Sequence, residues 1–248
     1  MLKNIAKKYF YYRIDKLPKN KAPNHVLIIP DGNGRWAAKL DKDVSYGHKK
    51  GFEKVKKIIR EMEKLPINIL TLWAFSSDNW KRTKKETDSL MNIYEIGIYE
   101  AIPEMLEKNV RFICIGRRNR IPKSLIKAIN IAEEKTKKLG PKTLCIAIDF
   151  SGQDQEIRMM EKTKLLPKNK KIDLYLITKL RDAEGLIPPA DLVIRTSGEM
   201  RTSDLGWLVQ NSEFYSIKKN LPDTNAFDFL KAIEDYTKRE RRFGARIK

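Results

Sequence analysis

Cysteine and histidine are scarce: the 248 residues hold two of each, Cys114, Cys145, His25 and His48. Both cysteines sit inside apolar runs, FICIG and LCIAI, so they are expected as buried thiols and not as ligands or nucleophiles. None of the four falls at the close spacing of a zinc site, which excludes a structural zinc. Long hydrophobic runs are missing, and with them any stretch that would span a membrane. A signal-peptide pattern is absent too, so the reducing cytoplasm is the expected compartment. The Walker pattern GxxxxGK[ST] does not occur. No internal repeat and no linker long enough to divide the chain is present. Acidic residues are the minority, 32 against 51 Lys and Arg, for a net charge of +19. That excess implies an anionic partner: nucleic acid, an anionic membrane surface or a polyanionic small substrate. No nucleic-acid recognition motif supports the first, so no nucleic acid is expected among the partners.

Enough apolar residues are present, 41% of the chain, to build a real core. Residues 1–22 form a basic, aromatic segment. Leu2, Ile5, Tyr9, Tyr12 and Lys16 fall near one helical face, with Lys3, Lys7, Lys8 and Arg13 elsewhere. Such a helix either lies on an anionic membrane or packs on the body through its aromatics. Residues 23–248 read as one α/β domain. Apolar runs at His25–Ile29, Ile67–Phe75, Val110–Ile115, Thr143–Ile148, Asp191–Ile194 and Glu213–Ile217 predict six strands. Segments of helical period separate most of them. Phe52, Val55, Ile58, Ile59, Met62 and Leu65 mark one such face, and Thr224–Arg242 predicts a C-terminal helix with Phe227, Leu230, Ile233 and Tyr236 inward. The expectation is a six-stranded, mostly parallel sheet flanked by helices on both faces. A further helix over Asp88–Lys108 carries Gly97 and Pro103 and is apolar on a broad face. It suits either a wall of a greasy cavity or ordinary core.

Three segments carry the chemistry, each just beyond a predicted strand, where open parallel sheets bind ligands. In HVLIIPDGNGRWA, Asp31 offers a hard carboxylate for a metal and Arg35 a fork-shaped donor for phosphate. Gly32 and Gly34 let the backbone approach a ligand, and the helix that follows offers free N–H groups to an anion. In LTLWAFSSDNWKR, Ser76, Ser77, Asn79, Trp80 and Arg82 place more hydrogen-bonding groups at a strand end than a plain turn needs. In DLVIRTSGEMRTS and the following SEFY, Arg195, Arg201 and Ser203 suit a second diphosphate, with Glu199 and Glu213 adding carboxylates.

Together these segments resemble the cis-prenyltransferase family, whose best-known members are undecaprenyl and dehydrodolichyl diphosphate synthases; the resemblance runs from His25 to Gly244. The aspartate-rich DDxxD motifs of trans-type synthases do not occur. The resemblance implies a magnesium-dependent condensation of isopentenyl diphosphate with an allylic diphosphate, farnesyl or geranyl, to a Z-polyprenyl diphosphate. It also implies a homodimer and an apolar tunnel between sheet and helices, lined by Ala74 and the Leu90–Leu106 helix. Asp31 and Asn79 take catalytic positions, and Asp31 and Glu213 those that hold the metal. Gly32, Asn33, Gly34, Arg35, Trp36 and His48 match the allylic diphosphate site. Ser76, Trp80 and Arg82 belong with Asn79 to the loop that promotes condensation. Arg195, Arg201 and Ser203 match the isopentenyl diphosphate site. Arg242-Phe243-Gly244 matches the RxG ending that reaches a partner subunit's site. Peripheral contact with the inner face of the membrane is expected from the apolar product and the basic N-terminal segment.

The chain departs from the family at several places. Val44 stands where a phosphate-binding arginine is usual, with Lys39 and Lys42 as candidate substitutes. Ser151-Gly152-Gln153 replaces a Gly-Gly-Arg, Met200 replaces His or Gln, and the Ser203–Glu213 stretch is shorter than the common pattern. These changes bear on the primer, the product length and the head-to-tail geometry of the condensation, with a short or irregular prenyl diphosphate as the alternative product, and leave the metal ligands and most diphosphate ligands in place.

Overall fold

A computed structural model describes residues 2–242 and Gly244, with side chains from Lys8 onward. The side chains of Leu2, Lys3, Ile5 and Lys7, and residue Phe243, lie outside the described residues. The six predicted strands are all found: β1 (His25–Ile29), β2 (Ile69–Ser76), β3 (Val110–Ile115), β4 (Lys142–Phe150), β5 (Leu192–Arg195) and β6 (Glu213–Ser216). They form one sheet in the order β3-β4-β2-β1-β5-β6, and every pairing is parallel. Such strands are apolar on both faces because helices cover both. In β1, Val26 and Ile28 enter one core layer while Leu27 and Ile29 enter the other.

The larger layer holds α1 (Leu2–Asp15), α3 (Val44–Met62), α4 (Lys84–Glu107), α5 (Lys123–Thr136) and α8 (Ala226–Tyr236). The opposite face is covered by the segment after α6 (Gly152–Thr163) and α7 (Leu174–Leu180), through Ile187, Ala190, Leu205 and Leu208. Both cysteines are buried free thiols, and burial pushes Cys145 up to about 12.

Two expectations about helices need correction. α1 packs on the body through the aromatic Phe10, as one of the two readings has it, but the face is set by Phe10, Ile14 and, just past the helix end, Leu17, all buried. Arg13 donates to Glu234 of α8 and Lys64 to the Tyr11 hydroxyl. The predicted face, represented by Tyr9 and Tyr12, points outward, each more than half exposed. α8 is shorter than Thr224–Arg242. The Asn225 and Asp228 side chains cap its start, and beyond Tyr236 the basic residues leave the helix for acidic partners. Arg239 pairs with Glu213 and Arg241 with Asp191.

α3 begins at Asp43, whose side chain accepts from the Ser45 N–H at 2.8 Å, a normal N-cap. Its predicted apolar face is divided: Ile58 and Met62 are buried, whereas Phe52, Val55 and Ile59 face a cavity. α4 starts at Thr83 and is the predicted long helix, with Pro103 near its end. Gly97 marks a close approach of the two helices, where a Cβ would come within 2.3 Å of the Phe52 ring on α3 and push that side chain aside. The chain builds β2, β3 and β4 on one side of β1, then crosses to build β5 and β6 on the other. The gap at the carboxyl ends of β1 and β5 is therefore a switch point, where open sheets hold their ligands.

Candidate active site

Asp31 and Arg195 meet at that switch point. Parallel register sets Ile29 opposite Arg195, so residues distant in sequence leave the sheet side by side. Arg195 Nη2 and Nε donate to Asp31 Oδ2 at 2.9 and 3.3 Å, and Arg35 Nη2 donates to Oδ1 at 3.0 Å. Burial opposes ionisation of Asp31, but the bonds from Arg195 and Arg35 outweigh it and hold the carboxyl below its ordinary pKa. The Thr196 hydroxyl accepts from the Asp31 N–H and donates to the Asp31 carbonyl, fixing the backbone on both sides. Gly32 has φ +99°, and a Cβ there would meet Asn220 Oδ1 at 2.5 Å and Ser197 Oγ at 2.7 Å. Only glycine fits this turn.

The loop after β5 folds over this point. Arg195 Nη1 donates to the Arg201 carbonyl at 2.7 Å and to Ser203 Oγ at 3.0 Å. Glu199 takes Arg35 Nη1 at 2.7 Å and also pairs with Arg201, whose guanidinium stays at the exposed rim. Ser197 and Ser203 both have positive φ, a conformation that surrounding bonds must hold in place. Across the opening, His48 Nε2 lies 2.9 Å from Glu86 Oε1, which also accepts from Arg82 at 3.1 Å. Burial and the nearby Arg82 outweigh Glu86 and lower the His48 pKa. Ser76 and Asn79 cap each other's backbone around a 3-10 turn, Ser77–Lys81. The buried Asn33 Oδ1, Ser77 Oγ and Trp80 Nε1 have no hydrogen-bond partner among the described residues. Orphaned buried atoms of this kind are uncommon, and these three belong to the segments that form the opening.

Behind the opening lies a cavity of about 710 Å³. The residues of β2 and β4 that alternate toward the helices, Leu70, Leu72, Ala74, Leu144, Ile146 and Ile148, form one wall. α3 and α4 form the other, with Tyr94 tied to the Ala74 carbonyl at 2.6 Å. The two readings of the helix that carries Gly97 and Pro103 thus resolve in favour of a cavity wall, except that Leu106 is exposed on the outer side.

Asp31, Gly32, Asn33, Gly34, Arg35, His48, Ser76, Asn79, Arg82, Arg195 and Ser203 all line this one cavity. Other candidates do not come together there. Trp36 stacks on Tyr46 and donates to Asp223 at 2.7 Å; it braces α2 (Asn33–Ala38) from outside. Trp80 plugs the core against Phe75. Glu213 starts β6 beside Leu192, and Arg195 lies opposite Ser216. Glu213 is therefore a strand length, roughly 10 Å, back from the Asp31 level, bound to Arg239 at 2.7 Å. Within one protomer it does not join Asp31. Arg242 pairs with Glu240 and Gly244 is exposed; the segment leading to them is tied to Asp191 and Glu213, also behind the site. Val44 does line the cavity, whereas Lys39 and Lys42 are exposed outside it. Within Ser151-Gly152-Gln153 the retained Gly152 has no room for a side chain, since a Cβ would meet Gly206 at 2.6 Å, and Asp204 caps α6 through the Gly152 and Gln153 N–H groups.

Sequence reasoning missed Glu86 and Asn220. Glu86 is three residues after the cap Thr83 and looks like a capping residue. Asn220 carries no motif. It also missed Gly47 and Gly51, whose Cβ atoms would lie 2.2 Å from Asn33 O and Oδ1; their spacing of four on one helix face was the available signal.

Comparison with known proteins agrees with this geometry. A family model described as "Putative undecaprenyl diphosphate synthase" matches residues 29–244. The chain is 42% identical over 241 residues to a tritrans,polycis-undecaprenyl-diphosphate synthase (geranylgeranyl-diphosphate specific) of Methanocaldococcus jannaschii, covering 93% of this chain and 85% of that one. It is 40% identical to an isoprenyl transferase of Thermotoga maritima, covering 92% and 99%. Among solved structures it is similar to lavandulyl diphosphate synthase of Lavandula x intermedia in complex with dimethylallyl diphosphate. That match has a TM-score of 0.85 and 32% identity over 91% of this chain and 99% of the other. Strand-end cradle, apolar cavity and relatives converge: the chain belongs to the undecaprenyl diphosphate synthase family and is a cis-prenyltransferase.

Proposed function

We propose that this chain extends an allylic diphosphate with isopentenyl diphosphate, holding both diphosphates at the Asp31–Arg195 switch point and the growing Z-prenyl chain in the cavity. The observation that carries this reading is the position of the Asp31, Arg35 and Arg195 cluster at the mouth of a cavity with apolar walls. An amphiphile with a charged head and a hydrocarbon tail fits such a site, charge to charge and tail to wall.

In this reading Arg35 and the Gly32–Gly34 backbone hold the allylic diphosphate, with His48 and Arg82 beside it. Arg195, Arg201 and Ser203 hold isopentenyl diphosphate. Heterolysis of the allylic C–O bond puts negative charge on the leaving diphosphate, where Arg35 stabilises it. The isopentenyl double bond attacks the allylic carbon, and loss of a proton restores an alkene. Asn79 and Ser76, locked by their mutual cap, fix the loop beside the reacting ends. Trp36 and Trp80 act through packing.

Asp31 is the residue that would hold magnesium. Among the described residues no group of three or more His, Cys, Asp or Glu could hold an ion. A single accessible carboxylate still suits magnesium, which commonly takes one or two carboxylates and completes its shell with phosphate oxygens and water. When bound, the ion supplies charge neutralisation to the diphosphate. Glu213, Arg242 and Gly244 would meet Asp31 only across two copies, so the homodimer belongs to this proposal. The 42% identical archaeal relative is named for geranylgeranyl diphosphate, which adds that primer to geranyl and farnesyl. No helix among the described residues is long and apolar enough to cross a membrane. The outward Tyr9 and Tyr12 of α1 give the proposed peripheral contact with the inner membrane face, in a cytoplasmic protein.

Purified chain with magnesium, labelled isopentenyl diphosphate and each of the three primers tests the reading. Label should enter products whose added double bonds are Z. No incorporation from any primer by folded protein in detergent would sink it.

A further inference from the structure

One side chain touches both halves of the cradle. The first half is the turn after β1, where Asp31 and Gly32 lie. The second is the loop after β5, which begins at Thr196. A third segment, residues 219–223, follows β6 and comes between them. Ser197 N–H donates to the Lys219 carbonyl at 2.7 Å, and Leu221 N–H donates to the Asp31 carbonyl at 3.1 Å. Asn220 stands between these two bonds. Its Oδ1 accepts from Ser197 Oγ at 2.7 Å and fills the space that a Cβ on Gly32 would need. Asp223 N–H donates back to the Asn220 carbonyl at 2.9 Å, and the Asp223 side chain accepts from Trp36 of α2. The segment is thereby tied to the β1 turn, to α2 and to the β5 loop.

The two residues that meet the Asn220 amide both have left-handed backbones, Gly32 at φ +99° and Ser197 at φ +76°. Glycine takes that conformation freely, whereas serine takes it only where its surroundings hold it. The Ser197 hydroxyl bond to Asn220 is one such hold. Asn220 itself is extended, at φ −62° and ψ 149°, a conformation open to any residue. Its own backbone therefore makes no demand for asparagine. The demand comes from its neighbours: a leucine has the same branching and fills the same space, but takes away the acceptor of Ser197.

We propose that Asn220 is a positioning residue that sets the spacing of the two diphosphate subsites. The inference rests on the condensing reading above, in which Gly32–Gly34 and Arg35 belong to the allylic diphosphate and the Arg195–Ser203 loop to isopentenyl diphosphate. The reacting carbons meet only when both headgroups are seated at a fixed separation. The Thr196 hydroxyl already ties Asp31 to the β5 loop where the chain leaves the sheet. One residue further on, the turns at Gly32 and Ser197 have no direct bond of that kind, and Asn220 Oδ1 lies against both. Neither turn can move relative to the other without disturbing that contact. Asn220 acts through the backbone it touches, so both subsites should feel its loss.

The test is steady-state kinetics of the full chain with magnesium, one allylic primer and isopentenyl diphosphate, beside a thermal melt. Asn220→Leu removes the acceptor. Ser197→Gly removes the hydroxyl at a backbone conformation that suits glycine, so this variant should fold and melt close to wild type. In both, KM for the primer and KM for isopentenyl diphosphate should rise together by about 3- to 10-fold, the worth of one hydrogen bond, with kcat changed less. The Ser197→Gly/Asn220→Leu double variant should do no worse than the poorer single one, because both substitutions remove the same contact. A brace of the fold alone would lower the melting temperature and leave both KM values in place. That result, a rise in only one KM, or effects that multiply in the double variant would overturn the positioning role while the condensing reading stands. Failure of wild type to extend any primer would overturn the condensing reading and the positioning role with it.

Discussion

The two ends of the sheet both carry ion pairs, and they use them differently. At the carboxyl ends of β1 and β5, Asp31 is shared between Arg35 and Arg195, Glu199 between Arg35 and Arg201, and Glu86 between Arg82 and His48. Each of the three carboxylates has more than one partner, and Asp31 and Glu86 line the cavity. At the amino ends, Arg241 holds Asp191, and Asp191 accepts from the Asn24 and His25 N–H groups. His25 is buried between Pro188 and Thr71. These groups are closed and satisfied. Shared pairs can be repartnered by a charged ligand without leaving anything orphaned, whereas closed pairs hold the fold. Changes at the first end should cost turnover, and changes at the second should cost stability.

The largest expected effect on turnover comes from Asp31→Asn. Alanine would strand the buried Arg195 guanidinium, whereas asparagine keeps an acceptor and the shape. Loss of the carboxylate should lower kcat/KM by about 10²–10³-fold, equivalent to about 3–4 kcal/mol, while the melting temperature moves little. Steady-state kinetics beside a thermal melt checks both halves.

At the other side of the molecule, Phe10→Ala should do the reverse. Phe10 is buried and packs edge-on to Phe227 at 5.1 Å, so truncation should cost about 3–5 kcal/mol of stability. Condensation of short primers at low temperature should persist. The same packing means that a membrane test cannot delete α1, which would remove Phe10 and Ile14 from the core. Replacing the outward Tyr12 with serine is the cleaner variant, because Tyr9 also stacks on Phe227 at 6.3 Å, and it should weaken binding to anionic vesicles without lowering the melting temperature.

His25 gives the amino-terminal end a pH signature. Its Nδ1 faces the Pro188 carbonyl at 2.9 Å and its Nε2 the Thr71 hydroxyl at 2.7 Å, so the neutral ring donates from Nδ1 and accepts at Nε2. Burial lowers its pKa from 6.5 to about 4. Between those values the unfolded chain binds a proton that the folded chain refuses. Stability therefore falls as pH drops from 6.5 toward 4, by about 3 kcal/mol in total. Urea melts across that range should show the slope in wild type and not in His25→Gln.

The smallest effect is expected from Val44→Arg. Val44 lines the cavity beside Gly34, where no lysine substitutes. One added charge-assisted contact should lower the allylic KM by about 1.5–3 kcal/mol equivalent. Unchanged KM with all primers would show that position 44 does not face the diphosphate.

Most of the fold was legible because parallel strands announce themselves as short apolar runs, and all six runs became strands within a few residues. The cradle was legible for a related reason: catalytic groups of such sheets follow strands, so Asp31, Ser76 and Arg195 could be read from local motifs. Register could not be read. Glu213 looks like a third carboxylate for the site until β6 is paired with β5 and proves to begin at the other end. The packed face of α1 was misassigned because tyrosines count as apolar in a pattern yet are comfortable half in water. The ion pairs between α3 and α4 were hidden because Lys56, Arg60, Glu100 and Glu104 have the spacing of any solvated helix surface, and only the approach of the two helices pairs Lys56 with Glu100 and Arg60 with Glu104.

The most direct measurement is a crystal structure with magnesium and an unreactive thio analogue of farnesyl diphosphate. The diphosphate should lie within hydrogen-bond distance of Arg35 and the Gly32–Gly34 backbone, with Asp31 on the metal. The tail should run past Phe52 and Leu70 toward Arg60 and Glu104. A diphosphate bound beside Arg239 and Arg241, or a tail lying outside the α3–α4 wall, would contradict the division of labour between the two ends.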